Sequence, residues 1–343
     1  MEEAARRVLA DASEVAITAL PDGSVDHRHR ILGSDGTALG QSEFAAALEA
    51  GAKTVLLDPV GTEPGGMAVN AARQVHALGP TTRLLGHLDH DVFDDLPFES
   101  ASMGAPADVK IYDFEESAVM LTDESTDLDT WTARDARAAL GDRFDEWLGV
   151  DAVICSNWAS VPNLTTFLED LAASNVEGGW IVVDPGDVTV RAESEIANLV
   201  NALDALSRSF DVVLNPNDDE LAAIADARRL TGSTLPELLT RIRADAGIAA
   251  VVMHAAPEAA VATRGRTLRV PNYDTRGPVR FTGGGDRFTG GLATALAAGA
   301  DWEVALRIAN ACATFYIASG ETATADDLWS FPEIAPAQRS RRG

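Results

Sequence analysis

Three consecutive glycines and a carboxylate, Gly283-Gly284-Gly285-Asp286, stand directly before Arg287, Phe288 and the apolar run GGLATALAAGA, which reads as a buried helix. Glycines in series cost backbone entropy, so something must come close to that backbone. Bare amides at a helix N-terminus, where the macrodipole is positive, suit an anion such as a phosphate. An aspartate in the first turn beside such an anion suits proton abstraction from a hydroxyl that attacks phosphorus. Read without partners, the same four residues also make a helix-entry turn with an N-capping aspartate. They do not make a Walker loop, which needs a lysine and a different spacing.

Other stretches carry polar groups at spacings that could converge. Asn217 and Glu220, three apart after the run DVVLNP, share one face at the start of a helix; they also fit a capping box. Gly65-Gly66 opens an amphipathic helix in which Asn70 lies within the first turns. Asp26 follows the turn PDG and precedes the cations His27, Arg28, His29 and Arg30, which could hold a phosphate or carboxylate or could protect an edge strand.

The elements that must position these groups alternate. Short apolar runs at 14–20, 53–59, 152–157, 180–186, 211–217 and 249–255 are separated by helical patterns such as NAARQVHALG, VPNLTTFLEDLAAS, DELAAIADARRLTG and TLPELLTRIRADAG. Continuous apolar strands between helices imply a doubly wound, mostly parallel α/β sheet buried on both faces. Several of the strands end in polar punctuation, Asp184-Pro185-Gly186, Asn215-Pro216-Asn217 and His254, where ligands of open α/β sheets bind. Residues 22–36 and 107–122 are polar and alternating, as expected of exposed β-ribbons forming a small lid. The expectation is one α/β domain over 1–330 and a tail at 331–343. The purpose of the segment GTALGQSEFAAALEAGAKTVLLDPVGTEP is not legible.

Composition narrows the partners. The chain has 343 residues, a formal charge of −26 and 46% hydrophobic residues, enough for a sizeable core. That charge repels a nucleic-acid backbone. Lys53 and Lys110 are the only lysines among 27 basic residues, a surface that suits concentrated salt, where screening relieves carboxylate repulsion. Cys155 and Cys312 are too few for a disulfide framework or a metal cluster and read as reduced core residues. Neither a signal peptide nor a run of roughly twenty apolar residues is present, so the expectation is a cytoplasmic protein.

These stretches together resemble the ribokinase-like, or PfkB, carbohydrate kinases, over about residues 14 to 330. The C-terminal stretch is similar to the family's D-T-x-G-A-G-D, Gly65 to Ala72 to its G-G-x-x-x-N-x-A, and Asn217 to Glu220 to its N-x-x-E, in the family's order. The resemblance implies a three-layer αβα sandwich with a β-ribbon lid and transfer of the γ-phosphoryl group of ATP to a sugar or sugar-acid hydroxyl. It implies Asp286 as the base and Gly283, Gly284 and Gly285 as the anion hole. It places Gly65, Gly66, Asn70 and Asp26 on the sugar, where the lid cation Arg28 is a further candidate on chemical grounds. It places Asn217, Glu220 and Asn310 on the nucleotide, with Glu220 organising Mg²⁺ through water; His254 and Arg287, which depart from the family's usual residues, are further candidates on the nucleotide side, Arg287 toward a phosphate oxygen. A homodimer paired through the lid is a further expectation.

The chain departs from the family at Arg280 and Phe281, where an acidic residue and a threonine are usual, and at His254, Ala255, Ala256 and Ala259, which replace a glycine loop. A nucleoside kinase, with Tyr112 and Phe114 as lid aromatics, and a non-catalytic binding protein on the same scaffold are the alternatives. A Rossmann dehydrogenase is disfavoured, because no G-x-G-x-x-G follows the first strand.

Overall fold

The computed structural model describes residues 2–114, 117–274, 277–280 and 282–330. Phe281, the tail at 331–343 and two positions of the 107–122 stretch lie outside them. In chain order the strands are β1 (Ala16–Leu20), β2 (Ser24–Leu32), β3 (Leu56–Gly65), β4 (Thr81–Gly86), β5 (Glu99–Ser102), β6 (Ala107–Asp113) and β7 (Ala118–Asp123). They continue with β8 (Ala152–Ser156), β9 (Trp180–Asp184), β10 (Asp211–Leu214), β11 (Ala250–His254), β12 (Glu258–Thr263) and β13 (Thr267–Pro271).

The large sheet runs β13-β12-β11-β10-β9-β8-β1-β4-β5. Its pairs from β11 through to β5 are parallel, and β12 and β13 add an antiparallel edge. The strands β8 to β11 are almost wholly buried, which is why they appear in sequence as unbroken apolar runs rather than alternations. Helices cover both faces. One face packs large side chains, Trp147, Trp158 and Phe167 among them, against Val153, Val183 and Leu214. The other packs small ones, Ala68, Ala71 and Ala72 of the helix Met67–Leu78 against Ala293 and Leu292 of the helix Gly284–Ala297, with the long helix Trp302–Ser319 beside them. Alanines on both partners let the Asn70 and Asp286 helices approach closely, and that brings the two glycine turns to one end of the sheet.

The second sheet runs β3-β2-β6-β7. Three of its strands, β2, β6 and β7, fall in the stretches read as lid ribbons, but β2 is an interior strand, antiparallel to β3 and parallel to β6. The cations of β2 therefore do not guard a free edge. The run KTVLLDP is a correction: it enters β3 of the small sheet, with Leu56 and Leu57 exposed, and not the buried parallel sheet. Apolar character over so few residues does not say which sheet a strand joins. The segment whose purpose was illegible thus supplies the helix Gln41–Glu49 and this outer lid strand. No helix among the described residues is long and apolar enough to cross a membrane.

Candidate active site

A cleft of about 1090 Å³ opens where the small sheet overhangs the carboxyl ends of β1, β8 and β9. Of the sequence candidates, Asp26, Arg28, Gly66, Asn70, Asn217, Glu220, His254, Gly283, Gly285, Asp286 and Arg287 line it. Gly65, Gly284 and Asn310 do not.

At the cleft floor the helix Gly284–Ala297 begins behind Gly283, whose φ of 85° puts it in the left-handed region that a side chain would oppose. A Cβ on Gly283 would also meet the Tyr316 ring at 3.1 Å, one on Gly284 would meet Ile317 at 2.9 Å, and one on Gly285 would lie 3.2 Å from His254 Nε2. The glycines thus run along a wall of side chains, and Gly284 and Gly285, as the first residues of the helix, carry amides with no partner inside it. The first two turns of this helix carry Asp286, buried and held by Asn70 Nδ2, which donates to its Oδ2 at 2.9 Å. Burial, reinforced by the negative charge of Asp184, raises the Asp286 carboxyl to about 8, while Arg287 and the Asn70 hydrogen bond oppose the rise.

Asp184 at the end of β9 lies beneath the same helix. Thr289 Oγ1 donates to its Oδ2 at 2.6 Å, and Asn215 Nδ2 donates to Thr289 Oγ1 at 2.9 Å. The other end of the Asn215 amide meets His254 Nδ1 at 3.3 Å, and the imidazole stacks on Phe288 with centroids 5.0 Å apart. With its amide nitrogen donating to Thr289, Asn215 offers His254 an oxygen. The histidine therefore carries its proton on Nδ1 and turns Nε2 toward Gly285. Desolvation holds the His254 pKa below the usual histidine range, against the pull of Asp184.

Asn217 and Glu220 form the capping box in full. Asn217 Oδ1 accepts from the Glu220 amide at 2.9 Å, and Glu220 Oε2 accepts from the Asn217 amide at 2.9 Å. Asn217 Nδ2 also donates to Glu220 Oε1 at 2.6 Å. A pure cap would be solvated, whereas Glu220 is buried in the cleft wall; desolvation and then Asp184 raise its carboxyl to about 8. Three buried carboxylates with raised pKa values thus ring the glycine turn. No group of three or more His, Cys, Asp or Glu side chains among the described residues forms a metal cage. What exists instead is a carboxylate pair, Asp184 and Glu220, whose mutual repulsion a hydrated cation carried in on phosphates would relieve, and this fits Mg²⁺ bound through water.

On the lid side, Asp26 accepts from Ser24 Oγ at 2.6 Å and is raised to about 6 by burial, against that hydrogen bond. Gly65 is needed for Asp26 itself, since a Cβ there would sit 2.2 Å from its carboxylate. Arg28, expected to offer a free cation, is committed instead. Its Nε donates to Asp113 at 3.0 Å, Nη2 donates to the other oxygen of the same carboxylate, and Nη1 lies 3.5 Å from Glu63. Asn310 is buried in the long helix, with Nδ2 lacking a partner among the described residues. Gly320 does cap that helix, at φ 79°.

Three further residues of the site carry no local sequence signal. Asp22 takes the amides of Met67 and Ala68, at 2.9 and 2.8 Å, and Asn157 Nδ2 at 2.9 Å, so it both caps the Asn70 helix and joins it to β8. Asn157 itself is a non-glycine residue at φ 59° facing the cleft, a conformation that costs energy and recurs at ligand sites. Thr289 is the third. Only the partners of these residues, far away in the chain, distinguish them from ordinary turn and helix residues.

The prokaryotic ketohexokinase family model matches residues 41–333. A ketohexokinase from Haloferax volcanii is 27% identical over 293 residues, covering 79% of this chain and 75% of the relative. A carbohydrate kinase from Agrobacterium tumefaciens superposes with a TM-score of 0.65 at 18% identity, covering 93% of this chain and 97% of the other. A ribokinase from Thermotoga maritima superposes with a TM-score of 0.63 at 15% identity, covering 92% and 98%. The chain therefore has the ribokinase fold and belongs to the prokaryotic ketohexokinase family of sugar kinases.

Proposed function

We propose that the protein transfers the γ-phosphoryl group of ATP to a hydroxyl of a ketohexose, with Asp286 as general base. The observation that carries this reading is a buried carboxylate of raised pKa, aimed by Asn70, in the first turn of a helix whose N-terminal glycine amides are open to an anion. A sugar lying between Asp26, Gly66, Asn70 and Asn157 presents a hydroxyl to Asp286, which takes its proton as the oxygen attacks phosphorus. The amides of Gly283 to Gly285 offset charge on the transferring group. His254, Asn217 and Glu220 lie on the nucleotide side. Glu220 and Asp184 would hold Mg²⁺ through water, and the ion would neutralise phosphate charge there. Closure of the small sheet excludes water from the reacting phosphoryl group.

The nucleoside-kinase alternative loses its support, because neither lid aromatic lines the cleft. Phe114 is buried and stacks on Phe44 at 6.1 Å, and Tyr112 packs beside His29 at 5.9 Å. The acidic surface suits turnover in concentrated salt within the cytoplasm. The apolar side chains left exposed on the outer strands of the small sheet and outside the cleft lining, Leu56, Leu57 and Val60 on β3 and Leu121 on β7, suit a homodimer paired through the lid.

The activity is tested by ADP release from Mg-ATP at molar KCl across ketohexoses, aldoses, sugar acids and nucleosides. Turnover dependent on a ketohexose is expected; preference for a nucleoside or a sugar acid contradicts the substrate class, and silence in folded protein contradicts the kinase reading. The state of Asp286 is open to measurement without substrate. Because its folded pKa lies above the unfolded value, its contribution to stability is full below about pH 4 and is lost as pH rises through about 8. Melting curves from pH 5 to 9 should therefore show Asp286→Asn gaining on the wild type by about 1 kcal/mol per pH unit up to about pH 8 and levelling above it; a constant offset would show a carboxylate of ordinary pKa. For the dimer, sedimentation should give twice the mass of the chain and half of that in Leu57→Asp, whereas a monomeric wild type would remove the lid interface.

A further inference from the structure

Arg287 follows the proposed base directly, and its surroundings are unusual for a buried cation. Only 3% of the residue is exposed, yet no carboxylate lies within ion-pair distance of its guanidinium among the described residues. Nη1 donates to the backbone oxygen of Asn70, Nε has no partner among the described residues, and the guanidinium carbon sits 4.5 Å from the centroid of the Tyr316 ring. Arg73, one turn along the Asn70 helix, donates from Nη1 to Pro64 O at 3.2 Å and also lacks a carboxylate within that distance among the described residues. Both line the cleft. The two guanidinium groups are close enough for the charge of Arg73 to disfavour that of Arg287, whose pKa is lowered mainly by desolvation.

The charges of Asp286 and Glu63 favour the Arg287 cation and those of Glu63 and Asp26 favour Arg73, but none of these carboxylates touches either guanidinium, and a buried cation without a contact partner is costly by several kcal/mol. In a chain with 53 acidic residues, pairing would have been easy. Arg28, in the same cleft, shows the contrast, with two carboxylates about it. The wall that Arg287 and Tyr316 form stands beside Gly283, where the ring would touch any added Cβ. The counter-charge therefore belongs at the flank of the glycine turn, on the side opposite His254.

We propose that Arg287 and Arg73, backed by Tyr316, form an oxyanion subsite beside the glycine turn, filled in turnover by an oxygen of the transferring phosphoryl group. This deepens the kinase reading and rests on it. The planar fork of an arginine fits two phosphate oxygens, and its charge opposes the electron density that builds on them during transfer. An anionic substituent on the acceptor is the other source of the same chemistry, and the experiment separates the two.

The test compares wild type with Arg287→Met, Arg287→Lys and the half-buried Arg73→Met. Two readouts are used: kcat/KM for Mg-ATP with a neutral ketohexose and with a sugar acid, and the rise in Tm caused by inorganic phosphate. Loss of about 10²-fold in kcat/KM with the neutral acceptor, on the scale of one oxyanion donor, is expected in Arg287→Met. Partial recovery in Arg287→Lys, a smaller loss in Arg73→Met and an abolished phosphate effect on Tm should accompany it. A loss confined to the sugar acid assigns the subsite to the acceptor and overturns the phosphoryl assignment. Wild-type kinetics and wild-type phosphate stabilisation in folded Arg287→Met and Arg73→Met overturn the subsite altogether. If wild type shows no sugar-dependent turnover, the kinase reading fails first, and the phosphate effect on Tm still judges the subsite.

Discussion

The constraint on which this structure turns is the burial of charge at one end of a parallel sheet. Asp184, Glu220 and Asp286 are all removed from water within one cleft; burial raises each carboxyl, and the charge of Asp184 adds to the rise at Glu220 and Asp286. Such a cluster is unstable as three anions, so it holds protons, awaits cations, or both. Everything that packs around it serves one of those ends. The helix Gly284–Ala297 turns its positive N-terminus toward the cleft, Thr289 donates a hydroxyl to Asp184, and Asn70 donates an amide to Asp286. In the proposed chemistry the stored tension has a use: a carboxyl poised near neutrality can take a proton and return it, which an ordinary surface aspartate does poorly.

The cations are arranged as deliberately as the anions. Arg28 is neutralised by Asp113 and Glu63, and this ties β2 to β6 and β3 and stiffens the small sheet over the cleft. Glu63 also reaches Arg280 at 3.8 Å, so the outer lid strand touches the segment that leads into the glycine turn. Asp22 performs the corresponding task beneath, joining the start of the Asn70 helix to β8 through Asn157.

Much of this was legible before the structure. The parallel strands β8 to β11 announce themselves as apolar runs because burial on both faces leaves no alternation to obscure them, and Gly283 to Asp286 and Asn217 to Glu220 are legible because their geometry is local to one helix start. What failed to show depends on distance in the chain. Asp22 reads as a turn residue until Met67 and Ala68 are beside it, and Asn157 as a loop residue until its backbone is seen in the left-handed region. The apolar stretch at 53–59 reads as core because leucines and valines look alike in a buried strand and on an uncovered lid. In sequence Gly65 resembles a sugar-site glycine, whereas in the fold it yields space to Asp26; Arg28 reads as a ligand for an acceptor anion or as edge protection because neither Asp113 nor Glu63 is its neighbour in sequence. Asn310, which by resemblance belongs to the nucleotide side, lies buried within its helix and outside the cleft lining.

The central claim is that a carboxylate of raised pKa, Asp286, takes the acceptor proton. The most direct measurement is the pH dependence of kcat/KM for the ketohexose at saturating Mg-ATP, in wild type and in Asp286→Asn. The account predicts a wild-type rate that climbs with pH through an apparent pKa between about 6 and 9 and then levels. In the variant that limb is absent and turnover is lower by about 10²- to 10⁴-fold. A flat wild-type profile together with wild-type-like turnover in Asp286→Asn would contradict it.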